Sequence, residues 1–292
     1  MKVLIYGHNG WIGQQFLKHF EKTTHTIIKG NSRCDNIEDI TTEIELVEPT
    51  HIISFIGRTH GCFNNKQYTT IDYLEQEGKL VDNIRDNLYS PFLLALLCDK
   101  YKIHYTYLGT GCIFKFDDNH PFEEEINGFK EEDKPNFFGS GYSIVKGYTD
   151  QMMKLFNNTL NLRIRMPITN ENNQRNFITK IITYKQICSV KNSMTVLPEL
   201  LPYVINMMEN KLIGTINLTN PGLISHNEIL EMYRDIVDKD FKWNNFSIEE
   251  QKQILDADRS NNFLDTSKLE SLYNVKNIKE SVKEMLQNWK KE

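Results

Sequence analysis

Near the start of the chain an apolar run, Val3-Leu4-Ile5-Tyr6, ends on Gly7, and Gly10 and Gly13 follow in the stretch "VLIYGHNGWIG". No other stretch limits the fold so strongly. The apolar run reads as a strand, and the pattern from Trp11 to Phe20 reads as a helix. Glycines between the two leave no side chains in the way of a pyrophosphate approaching the free N–H groups of the helix N-terminus. A tight turn without a ligand is the plain alternative. The strand before the glycines and the helix after them favour a dinucleotide site made by Gly7, Gly10, Trp11, Ile12 and Gly13.

The rest of the chain repeats the alternation. "HTIIKG", "HIISFIG", "IHYTYLG", "NLRIRMP" and "GTINLTN" read as strands, with helical stretches at Glu75–Tyr101 and Tyr142–Phe156 among them. Strands alternating with helices predict an α/β fold, a Rossmann-like doubly wound parallel sheet. After about residue 165 the pattern turns less regular and more helical. We expect a dinucleotide-binding domain over 1–165 and a smaller, mostly helical substrate lobe over 166–292, with a strand near 214–220 returning to the sheet. Ser225 with Glu228, and Ser247 with Glu250, have capping-box spacing and mark two helix starts there. A chain of 292 residues, 39% hydrophobic, can build this core without metals or disulfides. Its five cysteines are odd in number and never form a C-x-x-C pair, which argues against a disulfide framework or zinc ribbon and fits a reducing cytosol. The net charge of -5 gives no bulk attraction for nucleic acid or anionic membranes. With no signal-peptide pattern and no long apolar run, a cytoplasmic protein is expected.

Three further stretches carry chemistry. The second strand ends in "GNSRCD", where Ser32 and Arg33 stand near the position that reads the cofactor ribose. A guanidinium there suits a 2'-phosphate, so NADPH is expected, with NADH left open by Asp35 close by. "YSIVK" places Tyr142 and Lys146 on one helix face. The Lys146 ammonium would then sit near the phenol and the ribose and lower the phenol's proton affinity. Such a tyrosine can donate a proton to a carbonyl that is receiving hydride, and Thr110, in "GTGCIF" at the end of a strand, can hydrogen-bond the same carbonyl. Cys112, two residues on, reads by itself as a small buried hydrophobe or as a thiol facing substrate.

The glycine loop, Thr110, Tyr142 and Lys146 resemble the extended short-chain dehydrogenase/reductase family. "GFKEEDKPNFFGSGYS", "RNFITKI", "NSMTVLPELLP", "TNPGLISHNEILEMY" and "RSNNFLDTSKL" narrow the resemblance to the bifunctional nucleotide-rhamnose epimerase-reductases, which include the C-terminal half of plant rhamnose synthases. One departure is "ISFIGRT", where relatives carry an Asn-Ala-Ala-Gly turn; Ser54, Phe55 and Ile56 replace its first three residues and Gly57 remains as a cofactor contact.

The resemblance implies a 4-keto-6-deoxyhexose on a nucleotide, epimerised at C3 and C5 and then reduced at C4. It implies a Thr110, Tyr142 and Lys146 triad for reduction, and Cys112 with Lys180 as proton carriers for epimerisation. It places Asn176 and Phe177 against sugar or uracil, Arg259 against the diphosphate, and a homodimer within reach. Arg163 and Arg165 read instead as structural ion-pair partners, and the acidic loop at 123–134 as solvated. Two rivals stand beside this reading. A reductase-only enzyme would leave Cys112 and Lys180 idle, and a non-catalytic redox sensor would bind cofactor without turnover.

Overall fold

The computed structural model describes residues 1–290. The chain begins with β1 (Lys2–Tyr6), α1 (Trp11–Phe20), β2 (Thr26–Lys29), α2 (Ile37–Val47) and β3 (His51–Ser54). A hairpin of β4 (Gly61–Phe63) and β5 (Lys66–Tyr68) follows, then α3 (Lys79–Ile84), α4 (Ser90–Tyr101), β6 (His104–Thr110), α5 (Gly141–Met153) and β7 (Thr159–Ile164). Beyond these lie β8 (Pro167–Ile168), α6 (Phe177–Thr183), β9 (Thr195–Val196), α7 (Leu197–Glu209), β10 (Gly214–Asn217), α8 (His226–Ile236), α9 (Ile248–Ile254), α10 (Ser267–Glu270) and α11 (Ile278–Gln287).

Six strands make one all-parallel sheet in the order β10-β7-β6-β3-β1-β2. Sheets covered on both faces need apolar residues at consecutive positions, and β3 and β7 are buried along their whole length. On one face α1 and α7 pack Phe16, Leu17, Leu200 and Val204 against Val3, Ile5 and Leu162. On the other, α2 and α4 bring Ile40, Ile44, Leu93 and Leu97 against Leu4, Ile52 and Tyr105. The chain winds outward from β1 in both directions, so a crevice opens between the carboxyl ends of β1 and β3. A separate apolar cluster, with Ile168, Ile178, Val196, Ile229 and Val282, holds together segments beyond residue 166. Both capping boxes form, at Ser225–Glu228 and Ser247–Glu250.

Three local features differ from expectation. The helix expected from Glu75 begins at Lys79, after a tight turn over Ile71–Glu75, and widens by one residue per turn over Arg85–Tyr89 before α4. The hairpin of β4 and β5 turns on Asn64 and Asn65, both left-handed at φ 48° and 59°, a conformation asparagine tolerates. The acidic loop is largely exposed, as expected, but three of its carboxylates also tie it down. Glu123 accepts from the Lys191 N–H at 2.7 Å, Glu125 from Leu223 at 3.0 Å, and Glu131, buried, from Asn217 at 3.0 Å.

The opposite end of the sheet is clamped by histidines. His51 Nε2 donates to the Met208 carbonyl at 3.1 Å and His104 Nε2 to the Leu212 carbonyl at 2.8 Å, fixing the end of α7 against the starts of β3 and β6. Burial holds His51 down to about 4, with His104 as a further cause, and burial lowers His104 too. In the unfolded chain both titrate near 6.5, so the folded state binds fewer protons below that value. This contribution to stability is complete above about pH 6.5 and is lost as pH falls toward 4. For His51 the loss is on the order of 3 kcal/mol. Calorimetry should therefore show a transition temperature that falls by several degrees between pH 7 and pH 4.5 and falls less in His51→Gln. A flat profile in the wild-type chain would contradict the clamp's neutral form.

Candidate active site

The crevice at the sheet's carboxyl edge widens into a cleft of about 640 Å³. The glycine loop forms one end. Gly7 has φ +76°, and a Cβ there would lie 2.8 Å from the Phe55 carbonyl carbon; a Cβ on Gly13 would lie 2.4 Å from the Gly7 oxygen. Only glycine lets β1, the loop and α1 approach this closely. Gly10 is the N-cap of α1 and supplies no side-chain acceptor, so the first-turn N–H groups face the cleft uncapped. The buried indole Nε1 of Trp11 and Nδ1 of His8 also lack partners. Donors without acceptors beside a helix N-terminus fit a dinucleotide pyrophosphate. Gly10, Trp11, Ile12, Gly13 and Gly57 line the cleft, while Gly7 supports it from behind. In the departing "ISFIGRT" turn, Phe55 packs on Phe16 at 5.2 Å between ring centres, so its ring closes the core and also borders the cleft.

Ser32 and Arg33 lie outside the cleft lining. Glu43 anchors their loop by accepting from the Asn31 N–H at 2.7 Å and the Ser32 N–H at 3.2 Å. The largely exposed Arg33 guanidinium donates to both Asp35 oxygens at 2.8 and 3.0 Å.

At the centre stand Thr110, Cys112, Tyr142 and Lys146. Thr110 ends β6, and its Oγ1 accepts from the Cys112 N–H at 3.1 Å. The Cys112 carbonyl accepts from Ser143 Oγ at 2.7 Å, locking the thiol's loop to the first turn of α5. Ser140 caps that helix through the Ser143 N–H, and Glu75 accepts from Gly141 at 2.7 Å, which fixes the turn carrying Tyr142. Lys146 follows one turn later and is buried.

Burial pushes the Tyr142 phenol above its ordinary value, Cys112 adds to this, and the Thr110 hydroxyl and Arg165 oppose it. Lys146 was expected to lower the phenol. Instead its Nζ turns to the Tyr107 hydroxyl and lies 4.6 Å from the centre of that ring, and burial brings it down to about 8.

The far wall is cationic. Lys180, brought down to about 8 by burial and then by Arg175 and Arg259, lines the cleft with Phe177 and Arg259. Arg259 ion-pairs with Asp72 and donates to the Ala257 carbonyl at 2.7 Å. Asn176 corrects an expectation. It is fully buried, caps α6 through the Ile178 N–H, and spends its amide on the Thr169 and Glu171 carbonyls at 2.9 and 2.7 Å, so it orders the chain rather than facing the cleft.

Arg163 is a structural partner, bidentate to buried Asp150 at 2.8 Å on both arms. Arg165 has no carboxylate partner; five hydrogen bonds, to Ser193, Gly111, Asn192 and Ser260, satisfy it while its side borders the cleft. Arg175, His60 and His226 also line the cleft and had no place in the sequence reading. Arg175 alone offered a signal, as the charge opening the "RNFITK" block.

Residues 3–184 match the NAD dependent epimerase/dehydratase family. The chain belongs to that family. The crystal structure of the L780 UDP-rhamnose synthase from Acanthamoeba polyphaga mimivirus is 53% identical to this chain, superimposes with a TM-score of 0.93 and covers 99% of both chains. A bifunctional dTDP-4-dehydrorhamnose 3,5-epimerase/dTDP-4-dehydrorhamnose reductase of Arabidopsis thaliana is 43% identical over 281 residues, covering 96% of this chain and 90% of the plant enzyme. A trifunctional plant enzyme, with UDP-glucose 4,6-dehydratase, 3,5-epimerase and reductase activities, is 43% identical over 284 residues. That match covers 97% of this chain and 41% of the plant protein. Among the described residues no helix is long and apolar enough to cross a membrane.

Proposed function

We propose that the chain is a bifunctional 3,5-epimerase and NADPH-dependent 4-reductase that converts UDP-4-keto-6-deoxy-D-glucose to UDP-L-rhamnose. The observation that carries this reading is that Cys112 and Lys180 line the same cleft as Thr110, Tyr142 and Lys146. A reductase working on an already epimerised sugar needs only the last three. The uncapped α1 N-terminus would hold the cofactor pyrophosphate and Lys146 the ribose. The sugar lies between Tyr142 and Lys180 in the substrate lobe contributed from residue 166 onward, with Phe177 beside it.

Thr110 and Tyr142 donate hydrogen bonds to O4. They draw electron density from the ring carbons, so the hydrogens at C3 and C5 become acidic and the enolate that forms is stabilised. Cys112 on one side and Lys180 on the other remove and return those protons, inverting each centre. An amine near 8 exists in both protonation states around neutrality, which suits a group that must serve as base and acid. NADPH, when bound, supplies the hydride to C4. Tyr142, whose phenol stays protonated, gives its proton to O4.

The test is incubation with UDP-4-keto-6-deoxyglucose and NADPH, with the product identified by NMR. UDP-L-rhamnose is expected. Turnover only of a substrate already in the L-configuration would leave the reductase-only reading, and no turnover of either would favour a sensor.

Because Asp35 already holds Arg33, a 2'-phosphate would gain the guanidinium only by competing with that carboxylate. Arg33→Ala should weaken NADPH about tenfold and leave NADH nearly unchanged, measured by fluorescence titration. Equal effects on both cofactors would remove Arg33 from this role.

A further inference from the structure

The cleft holds one guanidinium with nothing to bind. Arg163 has Asp150, Arg58 has Asp86, Arg259 has Asp72, and Arg165 is satisfied by carbonyls and amides. Arg175 also lines the cleft, yet its side chain makes no hydrogen bond or ion pair among the described residues, and its Nη1 is buried without a partner. Its backbone is not adrift: the Arg175 N–H donates to Asn173 Oδ1 at 2.9 Å, and the next residue is the fully engaged Asn176. The chain is therefore held firmly where the charge points into the cleft.

The surroundings sharpen this. Burial depresses Arg175, and Arg175 in turn lowers the proton affinities of both Lys180 and His60. Asp72, the carboxylate that pairs with Arg259, also accepts from Thr70 and the Ala257 N–H, so it is already engaged. A half-buried cation costs free energy unless an anion pairs with it. Among the described residues none is provided, so the missing partner is a ligand.

Resting on the reading above, we infer that Arg175 is the diphosphate-binding residue of the cleft. Its planar fork engages two oxygens of the nucleotide's pyrophosphate link, a geometry a lysine does not reproduce. Arg259, held by Asp72, frames that wall and does not serve as the main clamp. This moves the role that the resemblance gave to Arg259 by 84 positions along the chain, from 259 to 175.

The experiment is calorimetric titration of the NADPH-loaded protein with UDP, UMP and uridine. In Arg175→Gln, UDP should bind at least about tenfold more weakly, with a smaller loss for UMP and none for uridine. Arg175→Lys should recover only part of the loss. Because the side chain makes no hydrogen bond or ion pair among the described residues, NADPH affinity and the unfolding temperature should match the wild type, which shows that the variant is folded. UDP affinity within twofold of wild type in Arg175→Gln would overturn the inference, as would an equal loss for uridine. If that happened while the wild type still made UDP-L-rhamnose, only the Arg175 assignment would fall. A wild type that bound neither UDP nor dTDP would overturn both readings.

Discussion

Tyr142→Phe should lower NADPH oxidation on a 4-keto-6-deoxysugar roughly 1000-fold while leaving NADPH affinity close to wild type. The reason lies in the environment of the phenol. Tyr142 is at the edge of full burial, and its proton is held more tightly than in water. A buried, protonated phenol is a ready donor to an oxygen that becomes an alkoxide as hydride arrives, and no water need enter to replace it. Phenylalanine keeps the ring against Tyr73 and Leu74 and removes only the hydroxyl, so the helix and the cleft wall should persist. Stopped-flow absorbance of NADPH would read the rate. A variant within tenfold of wild type would mean that O4 takes its proton from another group.

Cys112→Ser should separate the two halves of the reaction. Exchange of solvent deuterium into C3 and C5 should fall at least about 100-fold, because a serine hydroxyl is far less acidic than a thiol. Reduction of a sugar already in the L-configuration should survive, since Thr110, Tyr142 and Lys146 remain. The loop should also survive, because its hydrogen bonds to Thr110 and Ser143 use the Cys112 backbone and not its sulfur. Lys180→Met should show the same separation, with the loss allowed to fall on one carbon alone. Proton NMR in deuterium oxide, beside NADPH oxidation on pre-epimerised substrate, distinguishes the outcomes. Unchanged exchange in a folded Cys112→Ser would return the thiol to simple packing.

The sheet was readable because its buried parallel strands leave a pattern: Lys2–Tyr6 and His51–Ser54 carry short apolar runs bounded by turns, and in Thr159–Ile164 leucine and isoleucine alternate with polar residues. The hairpin at 61–68 was not, because three-residue strands carry no period, and Asn64-Asn65 became a turn signal only once both flanks paired. Polar and charged residues were the hardest to place. Asn176 and Arg259 stand in recognisable blocks, yet a block does not say whether an amide faces a ligand or two carbonyls of its own chain. Arg175 shows the converse, since a missing partner has no trace in sequence and appears only when every neighbour's hydrogen bonds are known. The Lys146 expectation failed for a related reason: helical spacing put it on Tyr142's face, but Tyr107, from a strand, took the ammonium.

β10 completes the sheet beside β7, although about 50 residues of chain separate the two strands. While the protein is being synthesised, β7 leaves the ribosome as an open edge and stays one until Asn217 has emerged. At roughly 5 to 20 residues per second the delay is about 3 to 10 seconds, and α7, which covers Leu160 and Leu162, arrives within the same interval. For those seconds the nascent chain presents an apolar strand edge and an uncovered apolar face together, a target for chaperones and for neighbouring chains on the same message.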